Sequence, residues 1–284
     1  MELFRALGAV AEPPSTAGHR IAEALALGPM PDAASHSELF DLQLPPYASV
    51  YLEPNGMLGG EARDRIAGFW RALDLTPPRE PDHITTMLAF YARLCDLEAE
   101  ASSEVAALAW HRSRVAYLWE HLMTWLPLYL ARVNEIGFAF YAMWARLMTD
   151  ALRAEATSLP EPERLSLHLR DVPPIADPRA DGLDAFARSL ISPVRSGVIL
   201  SRSDLGRGAR TLGLGARIVG RPDVLHALFA QDAGATLDWL IAEAEGWIVR
   251  HGEWNDVAPL LVGFWAGRAR ETSTLLRSLR AEGR

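Results

Sequence analysis

Apolar residues recur at three- and four-residue spacing along most of the chain, which is the periodicity of helices with one buried face. Similar stripes predict helices over residues 61–73, 105–122, 236–249 and 257–279, and another from Glu135 onward. We expect Pro127 to kink or end the second of these. The β-branched clusters around Val50 and Val198 are too short to build a sheet. The pattern therefore predicts an all-α protein. Its clearest stripe consists of Ile84, Met87, Leu88, Tyr91, Leu94 and Cys95.

A proline-rich stretch interrupts the helical pattern between residues 157 and 182. It is charged, lacks periodicity and contains Pro160, Pro162, Pro173, Pro174 and Pro178. We therefore predict a helical core (1–156), a linker (157–181) and a further helical region (182–284) that packs on the core. In the last region, Ser201 to Asp204 has the pattern of a capping box, and Pro222 is expected to begin the next helix.

The amino-acid composition indicates the cellular compartment and excludes some classes of enzyme chemistry. The 284 residues are 49% hydrophobic and 23% charged, as in ordinary globular proteins. Cys95 is the only cysteine, so no intrachain disulfide can form, and a reducing compartment is indicated. The amino terminus lacks a signal-peptide pattern and no run of 18 apolar residues occurs, so we expect a cytoplasmic protein without membrane insertion. All 28 basic residues are arginine, which excludes P-loop and Schiff-base chemistry because both need a lysine.

The segment Glu80-Pro81-Asp82-His83 stands immediately before the clearest stripe. Pro81 favours an extended conformation at Glu80, so Asp82 is the predicted N-cap of the following helix. In one interpretation Asp82 is only a cap. In the other, His83 lies at the positive end of the helix dipole as a neutral imidazole that binds a ligand beside a carboxylate. The local sequence does not decide between them.

The same segment offers little to a metal ion. Glu80-x-x-His83 matches half of a di-iron helix-bundle motif, which requires a second such pair and two further glutamates. The chain has no second pair, and Pro81 disturbs the helical geometry that would aim both side chains at one ion. We therefore expect no metal and no cofactor of the protein's own.

Several motifs in order resemble the family of TorD/DmsD-type redox-enzyme maturation chaperones. Glu80 to His83 resembles the family's Glu-Pro-(x)-Asp-His signature in a compact four-residue form. The flanking matches are the end of an aromatic-x-x-Leu-Phe motif at Ser37 to Phe40, a loop at 45–52 and 56–60, and His121-Leu122-Met123-Thr124-Trp125-Leu126-Pro127. His36 replaces the usual aromatic residue of the first motif. The resemblance extends from about His36 to Asp150.

This resemblance implies a TorD-like helical bundle with additional carboxy-terminal helices. It further implies a chaperone without enzymatic activity that binds the apo catalytic subunit of a molybdopterin oxidoreductase, including a twin-arginine leader where one exists. Such a chaperone assists cofactor insertion and assembly, as a monomer or homodimer. His121 and Trp125 can equally be core residues. The implied client-binding residues are Glu80, Pro81, Asp82, His83, Leu39, Phe40, Tyr47, His121 and Trp125.

Two alternative functions have some support in the sequence. Residues 201–224 imitate a helix-turn-helix, with Gly213 to Gly215 as the turn, which suggests a DNA-binding regulator. The formal net charge of −8 argues against nucleic-acid binding, because such proteins need clustered basic charge. An enzyme is not indicated, since no Ser or Cys nucleophile is tied by motif to the Asp82-His83 pair. The local arginines of the imitated motif are Arg202, Arg207, Arg210, Arg217 and Arg221.

Overall fold

The computed structural model describes residues 1–215 and 220–282. Within these ranges the chain forms sixteen α-helices, two π-helical turns and no β-strand, which confirms the predicted all-α fold. None of the described helices is both long and apolar enough to cross a bilayer.

The chain divides into two compact units. The N-terminal unit consists of Met1–Ser49 and Leu58–Ser166, and the C-terminal unit consists of Val50–Met57 and Leu167–Arg284. The chain passes between the units three times. Its last passage, between residues 166 and 167, falls inside the predicted linker. The short excursion of residues 50–57 was not predicted, because it carries no boundary signal in the sequence. The packing of region 182–284 on the core stays a prediction.

The N-terminal unit is built around α6. Helix α1 packs against α6 and α9, α6 packs against α7, and α8 packs against α9. The π-helical turns are Glu38–Gln43 and Leu118–Leu122. Helix α4 (Ala48–Leu52) begins in this unit and continues into the excursion. The other helices are α1 (Glu2–Ala9), α2 (Thr16–Ala24), α3 (Ala33–Ser37), α5 (Gly60–Ala72), α6 (Ile84–Ala99), α7 (Glu104–Tyr117), α8 (Leu126–Ile136) and α9 (Ala139–Ser158).

A glycine allows α1 to approach its neighbours closely. A Cβ atom on Gly8 would lie 3.3 Å from the Cβ of Leu88 and from the Cα of Thr85. At this contact the Thr85 hydroxyl donates to the Gly8 carbonyl at 2.8 Å. The Trp144 indole of α9 donates to the Leu7 carbonyl, also at 2.8 Å. These bonds fix α1 against both helices in addition to the apolar packing.

Two predicted helix boundaries in this unit are wrong. Pro127 neither kinks nor ends a helix, because it lies in the first turn of α8, where a missing N–H costs no hydrogen bond. The helix predicted from Glu135 onward begins only at Ala139. Gly137 separates it from α8 in an extended conformation (φ −67°, ψ 153°). Apolar periodicity runs through this break, so the start of the helix was predicted four residues too early.

The C-terminal unit is dominated by the pairing of its two longest helices, α15 and α16, with α12 packed on α16 and α14 on α15. The predicted capping box is confirmed: the Ser201 hydroxyl accepts from the Asp204 N–H, and the Asp204 carboxylate accepts from the Ser201 N–H. Pro222 is the second residue of its helix and not the first. The helices are α10 (Leu167–Arg170), α11 (Pro178–Leu190), α12 (Pro193–Ser196), α13 (Arg202–Leu212), α14 (Arg221–Gln231), α15 (Ala233–Gly252) and α16 (Pro259–Glu282).

A buried histidine links α15 to the turn after α12. The Nε2 of His251 lies 2.8 Å from the carbonyl oxygen of Gly197, and because a carbonyl only accepts, Nε2 carries the proton. The ring lies against Trp247 and Trp265, with centroids 5.3 and 6.0 Å away. Burial lowers the pKa of His251 to about 4, although the bond to Gly197 opposes the shift.

The depressed pKa of His251 predicts an acid-sensitive C-terminal unit. The unfolded chain takes up a proton below about pH 6.5, whereas the folded state does so only near pH 4. The contribution to stability is therefore complete above pH 6.5 and is lost between pH 6.5 and 4, amounting to roughly 3 kcal/mol. We expect His251→Gln, which keeps an N–H donor but does not titrate, to flatten the pH dependence of the unfolding free energy in this window. Equal slopes for the variant and the wild type would contradict this.

Candidate functional site

The segments 45–49 and 80–84 lie side by side in the N-terminal unit. The Ala48 N–H donates to the Asp82 carbonyl and the Ile84 N–H donates to the Pro46 carbonyl, each at 2.9 Å. Tyr47 and His83 are thereby paired in an isolated antiparallel bridge. The prolines in both segments favour extended backbone and cannot join a helix interior, so two short extended segments meet at the start of α6.

Asp82 is buried and holds this meeting point together. Its carboxylate accepts from the Ser49 hydroxyl at 2.6 Å, and the Ser49 oxygen accepts from the Gly59 N–H at 3.0 Å. We call Gly59, Ser49 and Asp82 the clamp. Ser49 and Gly59 lie on either side of the excursion 50–57, so the clamp ties together the two chain segments of the N-terminal unit that flank it.

The predicted role of Asp82 as N-cap is wrong. The N-cap of α6 is His83, whose Nδ1 accepts from the Thr85 N–H at 3.3 Å. His83 has extended backbone angles (φ −71°, ψ 137°), so the helix begins one residue later than predicted. The carboxylate of Asp82 is instead engaged by Ser49, a residue from another part of the chain.

The capping bond fixes the tautomer of His83. Because Nδ1 accepts, the proton of the neutral ring is on Nε2. Burial lowers the pKa of His83, although the nearby charges of Glu12, Glu80 and Asp82 oppose the shift. Glu12 is closest to the ring, with 3.6 Å between its Oε1 and Nδ1. About 12% of the His83 side chain remains exposed. His83 thus has a mostly buried ring whose neutral form carries its N–H on Nε2.

Tyr47 and Glu80 complete the accessible part of the site. The Tyr47 hydroxyl donates to the Glu80 carboxylate at 3.1 Å, and its ring packs edge-on against His83 at 4.8 Å. Burial, followed by the charge of Glu80, raises the pKa of Tyr47 to about 12, so the phenol keeps its proton at neutral pH. We call Tyr47, Glu80 and His83 the polar edge. It presents one carboxylate, one phenol and one imidazole to solvent.

The remaining predicted site residues lie in the core. Leu39, Phe40, His121 and Trp125 are all buried, and Pro81 is buried beside the clamp residue Asp82. Phe40 packs against His36, Tyr141 and Trp144 at 4.8, 5.0 and 6.0 Å. His121 contacts Phe69 and Tyr117 at 5.3 and 5.1 Å, and Trp125 contacts Tyr129 at 5.2 Å. The structure therefore brings together Tyr47, Glu80, Pro81, Asp82 and His83, and places the other four in packing positions.

His36 stands where the family's first motif usually has an aromatic residue, and its imidazole ring takes that place. Its ring lies edge-on to Phe40, and its Nε2 lies 3.1 Å from the Ala11 carbonyl oxygen. The substitution thus adds a hydrogen bond between α3 and the end of α1 while keeping the ring contact.

No group of three or more His, Cys, Asp or Glu side chains in the described part of the chain is arranged to hold a metal ion.

An open cavity of about 960 Å³ lies within the C-terminal unit. Pro54, Asn55 and Met57 of the excursion form one wall, and residues around α11 and the first turn of α14 form the rest. Its arginines are both engaged: Arg188 pairs with Asp184 at 2.8 Å, and Arg195 donates to the Pro174 carbonyl at 2.7 Å. The exposed carboxylates of Asp181 and Asp223 also line it. The cavity is therefore lined by apolar side chains together with three aspartates and two arginines.

Two arginines of the segment that imitates a helix-turn-helix are engaged within the protein. Arg207 pairs with Asp204 and Glu243 at 2.9 and 2.8 Å. Arg221 donates to the Leu200 carbonyl at 3.1 Å, and burial lowers its pKa. Arg217 lies outside the described residues. No contact in the described residues of this segment favours a DNA-binding surface.

Comparison with known proteins gives matches over part of the chain. A family model described as "Nitrate reductase delta subunit" matches residues 21–131, which include the clamp and the polar edge. "Chaperone protein TorD" of Psychrobacter sp. (strain PRwf-1) is 33% identical over 138 residues, covering 44% of this chain and 62% of the relative. Over part of its length the chain is therefore similar to TorD maturation chaperones.

Two further TorD chaperones match more weakly. The protein of Vibrio vulnificus (strain YJ016) is 30% identical over 112 residues, covering 36% of this chain and 50% of the relative. That of Aliivibrio fischeri (strain ATCC 700601 / ES114) is 27% identical over 123 residues, covering 40% and 55%. The chain thus spans between half and two thirds of the length of these relatives. No solved structure matches it significantly.

Three contributors to the TorD-like site were missed from the sequence. Ser49 and Gly59 lie in the loop that resembles the family, but nothing in their spacing shows that they meet Asp82. Glu12 follows α1, outside every motif, and reaches His83 only because α1 packs against α6. A buried polar contact between segments more than 30 residues apart leaves no periodic signal.

Proposed function

We propose that this protein is a cytoplasmic maturation chaperone that binds the apo catalytic subunit of a molybdopterin-dependent oxidoreductase and assists cofactor insertion and assembly. The observation that carries the proposal is the TorD-family match over residues 21–131, because that stretch contains the complete polar edge and the clamp. Binding without bond breaking is the whole activity in this proposal.

Each residue of the polar edge has a chemical role in client binding. The Glu80 carboxylate attracts a cationic side chain of the client, and the His83 Nε2–H donates to a carbonyl or carboxylate. The Tyr47 hydroxyl orients Glu80 through their 3.1 Å bond. Asp82 is a positioning residue here, since its carboxylate is buried and directed at Ser49.

The cavity of the C-terminal unit is the receptor that we propose for a cationic, partly apolar leader. Its apolar wall fits the hydrophobic part of such a segment. Its lining holds three aspartates and two arginines, and because Arg188 pairs with Asp184, we assign attraction of the leader's arginines to Asp181 and Asp223. The formal net charge of −8 favours approach of a cationic segment over the whole surface.

Affinity capture from the native cell tests the main proposal. The tagged chain should co-purify with the large subunit of a molybdopterin oxidoreductase, identified by mass spectrometry, and more of it when molybdopterin synthesis is blocked and the apo form accumulates. Deletion of the chaperone should lower the oxidoreductase activity of the cell while the transcript level is unchanged. Capture that never includes such a subunit would refute the proposal.

The proposed role of the cavity can be tested separately, with a synthetic peptide that has the sequence of the captured client's leader. We expect Asp181→Asn and Asp223→Asn each to weaken binding about two- to fivefold, because an exposed ion pair contributes up to about 1 kcal/mol. The losses should shrink at high salt. Asp171→Asn is the matched control, since it removes one exposed carboxylate of the same unit that does not line the cavity. Equal losses for all three variants would indicate that only net charge matters.

A further inference from the structure

Two adjacent apolar side chains lie exposed in the loop between α4 and α5. Met57 is 64% and Leu58 61% exposed, so neither contributes much to the core. A single exposed apolar side chain needs no explanation, but these two are adjacent and one of them lines a cavity. Their position therefore points to contact with another molecule.

Glycines stand on both sides of this pair. Gly56 and Gly59 have φ angles of 65° and 89°, which a residue with a Cβ atom adopts only with strain. Because glycine has few conformational limits, the chain can change direction both before Met57 and after Leu58. We call residues 53–59 the strap.

The strap is anchored at its two ends by serine hydroxyls. At the first end, the Ser192 hydroxyl donates to the Glu53 carbonyl at 3.2 Å. At the other end, the Gly59 N–H donates to the Ser49 oxygen at 3.0 Å, as part of the clamp. Both anchors lie outside the exposed pair, so they hold the strap without holding its exposed side chains.

Between the anchors, the hydrogen bonds of the strap are local. The Gly56 N–H donates to the Glu53 carbonyl, and the Met57 N–H donates to the Asn55 side chain, each at 2.9 Å. Both bonds join residues of the strap to each other. In the part of the chain that the structure describes, Met57 can therefore move without breaking a hydrogen bond to another segment.

Met57 lines the cavity of the C-terminal unit, and Leu58 does not. Asp181 and Asp223 line the same cavity. An apolar side chain and two carboxylates in one cavity are complementary to a segment that is both apolar and cationic, which is the leader proposed above. An anionic bilayer surface would be repelled by the two aspartates.

We propose that Met57 is the specificity residue for the apolar stretch of the leader, and that the strap moves to lay this side chain on that stretch. The inference rests on the proposed role of the cavity. Methionine is unbranched, flexible and polarisable, so it fits apolar side chains of different shapes. Met57 thus selects apolar character and not one particular residue, whereas Asp181 and Asp223 select positive charge.

A fluorescein-labelled synthetic peptide with two adjacent arginines followed by about ten apolar residues tests this assignment. Fluorescence anisotropy should show that Met57→Ser binds the peptide about five- to tenfold more weakly than the wild type, since most of one methionine side chain is no longer covered. Met57→Leu should bind within about twofold of the wild type, because it keeps the apolar volume.

Leu58→Ser is the matched control. It removes a neighbouring apolar side chain of nearly equal exposure that does not line the cavity, and should bind the peptide like the wild type. A loss as large as that of Met57→Ser would overturn the assignment to Met57. Circular dichroism should show the same helix content in all three variants, since the altered side chains are exposed.

A second peptide separates the apolar contact from the charge contact. It keeps the two arginines but has serine in place of every apolar residue. The wild type and Met57→Ser should bind it equally weakly, because the partner of Met57 is gone, whereas Asp181→Asn should still weaken binding. If Met57→Ser lowers the affinity for both peptides by the same factor, Met57 does not contact the apolar stretch and the inference is wrong.

Hydrogen exchange measured by mass spectrometry tests the movement of the strap. Residues 54–58 should exchange more slowly when the first peptide is bound, and unchanged exchange with bound peptide would overturn the proposed movement. Peptide binding that depends on Asp181 and Asp223 but not on Met57 would refute this inference and leave the role of the cavity intact. A wild type that does not bind the first peptide would refute both.

Discussion

Replacing Gly197 with alanine is expected to destabilise the C-terminal unit by about 3 kcal/mol or more. Gly197 follows α12 in a left-handed conformation (φ 72°), which strains any residue with a Cβ atom. A Cβ there would lie 2.4 Å from the backbone nitrogen of Ala269 and 2.7 Å from the carbonyl oxygen of Trp265. Both obstacles are backbone atoms of α16, so no side-chain rotation can relieve the contact.

The loss should extend to the bonds that surround this turn. The Gly197 carbonyl accepts from His251, and the Ser196 carbonyl accepts from the Thr272 hydroxyl at 2.8 Å. Moving α12 away from α16 would weaken both. Denaturant unfolding followed by tryptophan fluorescence measures the effect, because Trp247 and Trp265 flank His251.

A second glycine of the same unit provides the matched control. Gly263 lies in α16 with open space around its Cα, so Gly263→Ala should be neutral or stabilise by up to about 1 kcal/mol through helix propensity. If both alanine variants unfold like the wild type, the close approach of α12 to α16 is not a determinant of stability.

The features of this fold that the sequence predicts are those determined by local residue patterns. Helix α6 was located from its apolar stripe, and the residues of that stripe are indeed buried. The capping box at Ser201 was found because its two partners stand three residues apart. Such features are decided within one or two helical turns. The break at Gly137 was missed for the converse reason, since the apolar period continues across it.

The membership of the candidate site was predictable only in part. The family-like motifs contain Tyr47, Glu80 and His83, which are in contact in the structure. They did not reveal that Asp82 is buried by Ser49, because that bond spans 33 residues. Nor could they separate packing positions from accessible ones. Leu39, Phe40, His121 and Trp125 belong to the same motifs but are buried, so a client can reach them only if the structure opens.

Removal of the Asp82 side chain is the second large effect that we expect. Asp82→Ala leaves the Ser49 hydroxyl without its buried acceptor and removes a charge-assisted bond, at a cost of about 3 kcal/mol. In a unit of this size, that corresponds to a fall in melting temperature of roughly 6–12 °C. Asp82→Asn keeps an acceptor oxygen and should cost less, about 1–2 kcal/mol. The burial of Asp82 rules out the nearly silent outcome expected of an exposed cap.

His83→Ala should behave differently from Asp82→Ala and Asp82→Asn. The difference shows which of the two residues stabilises the fold and which binds the client. His83→Ala removes one capping bond to Thr85, worth about 1 kcal/mol, and deletes the Nε2–H donor of the polar edge. Client capture per folded molecule should therefore fall about tenfold for His83→Ala, the effect of losing one well-placed hydrogen bond. For Asp82→Asn, capture per folded molecule should be nearly normal, because the clamp keeps the polar edge in place. The reverse result, with capture lost in Asp82→Asn at unchanged melting temperature, would mean that the client binds Asp82 directly and that the bond to Ser49 opens to receive it.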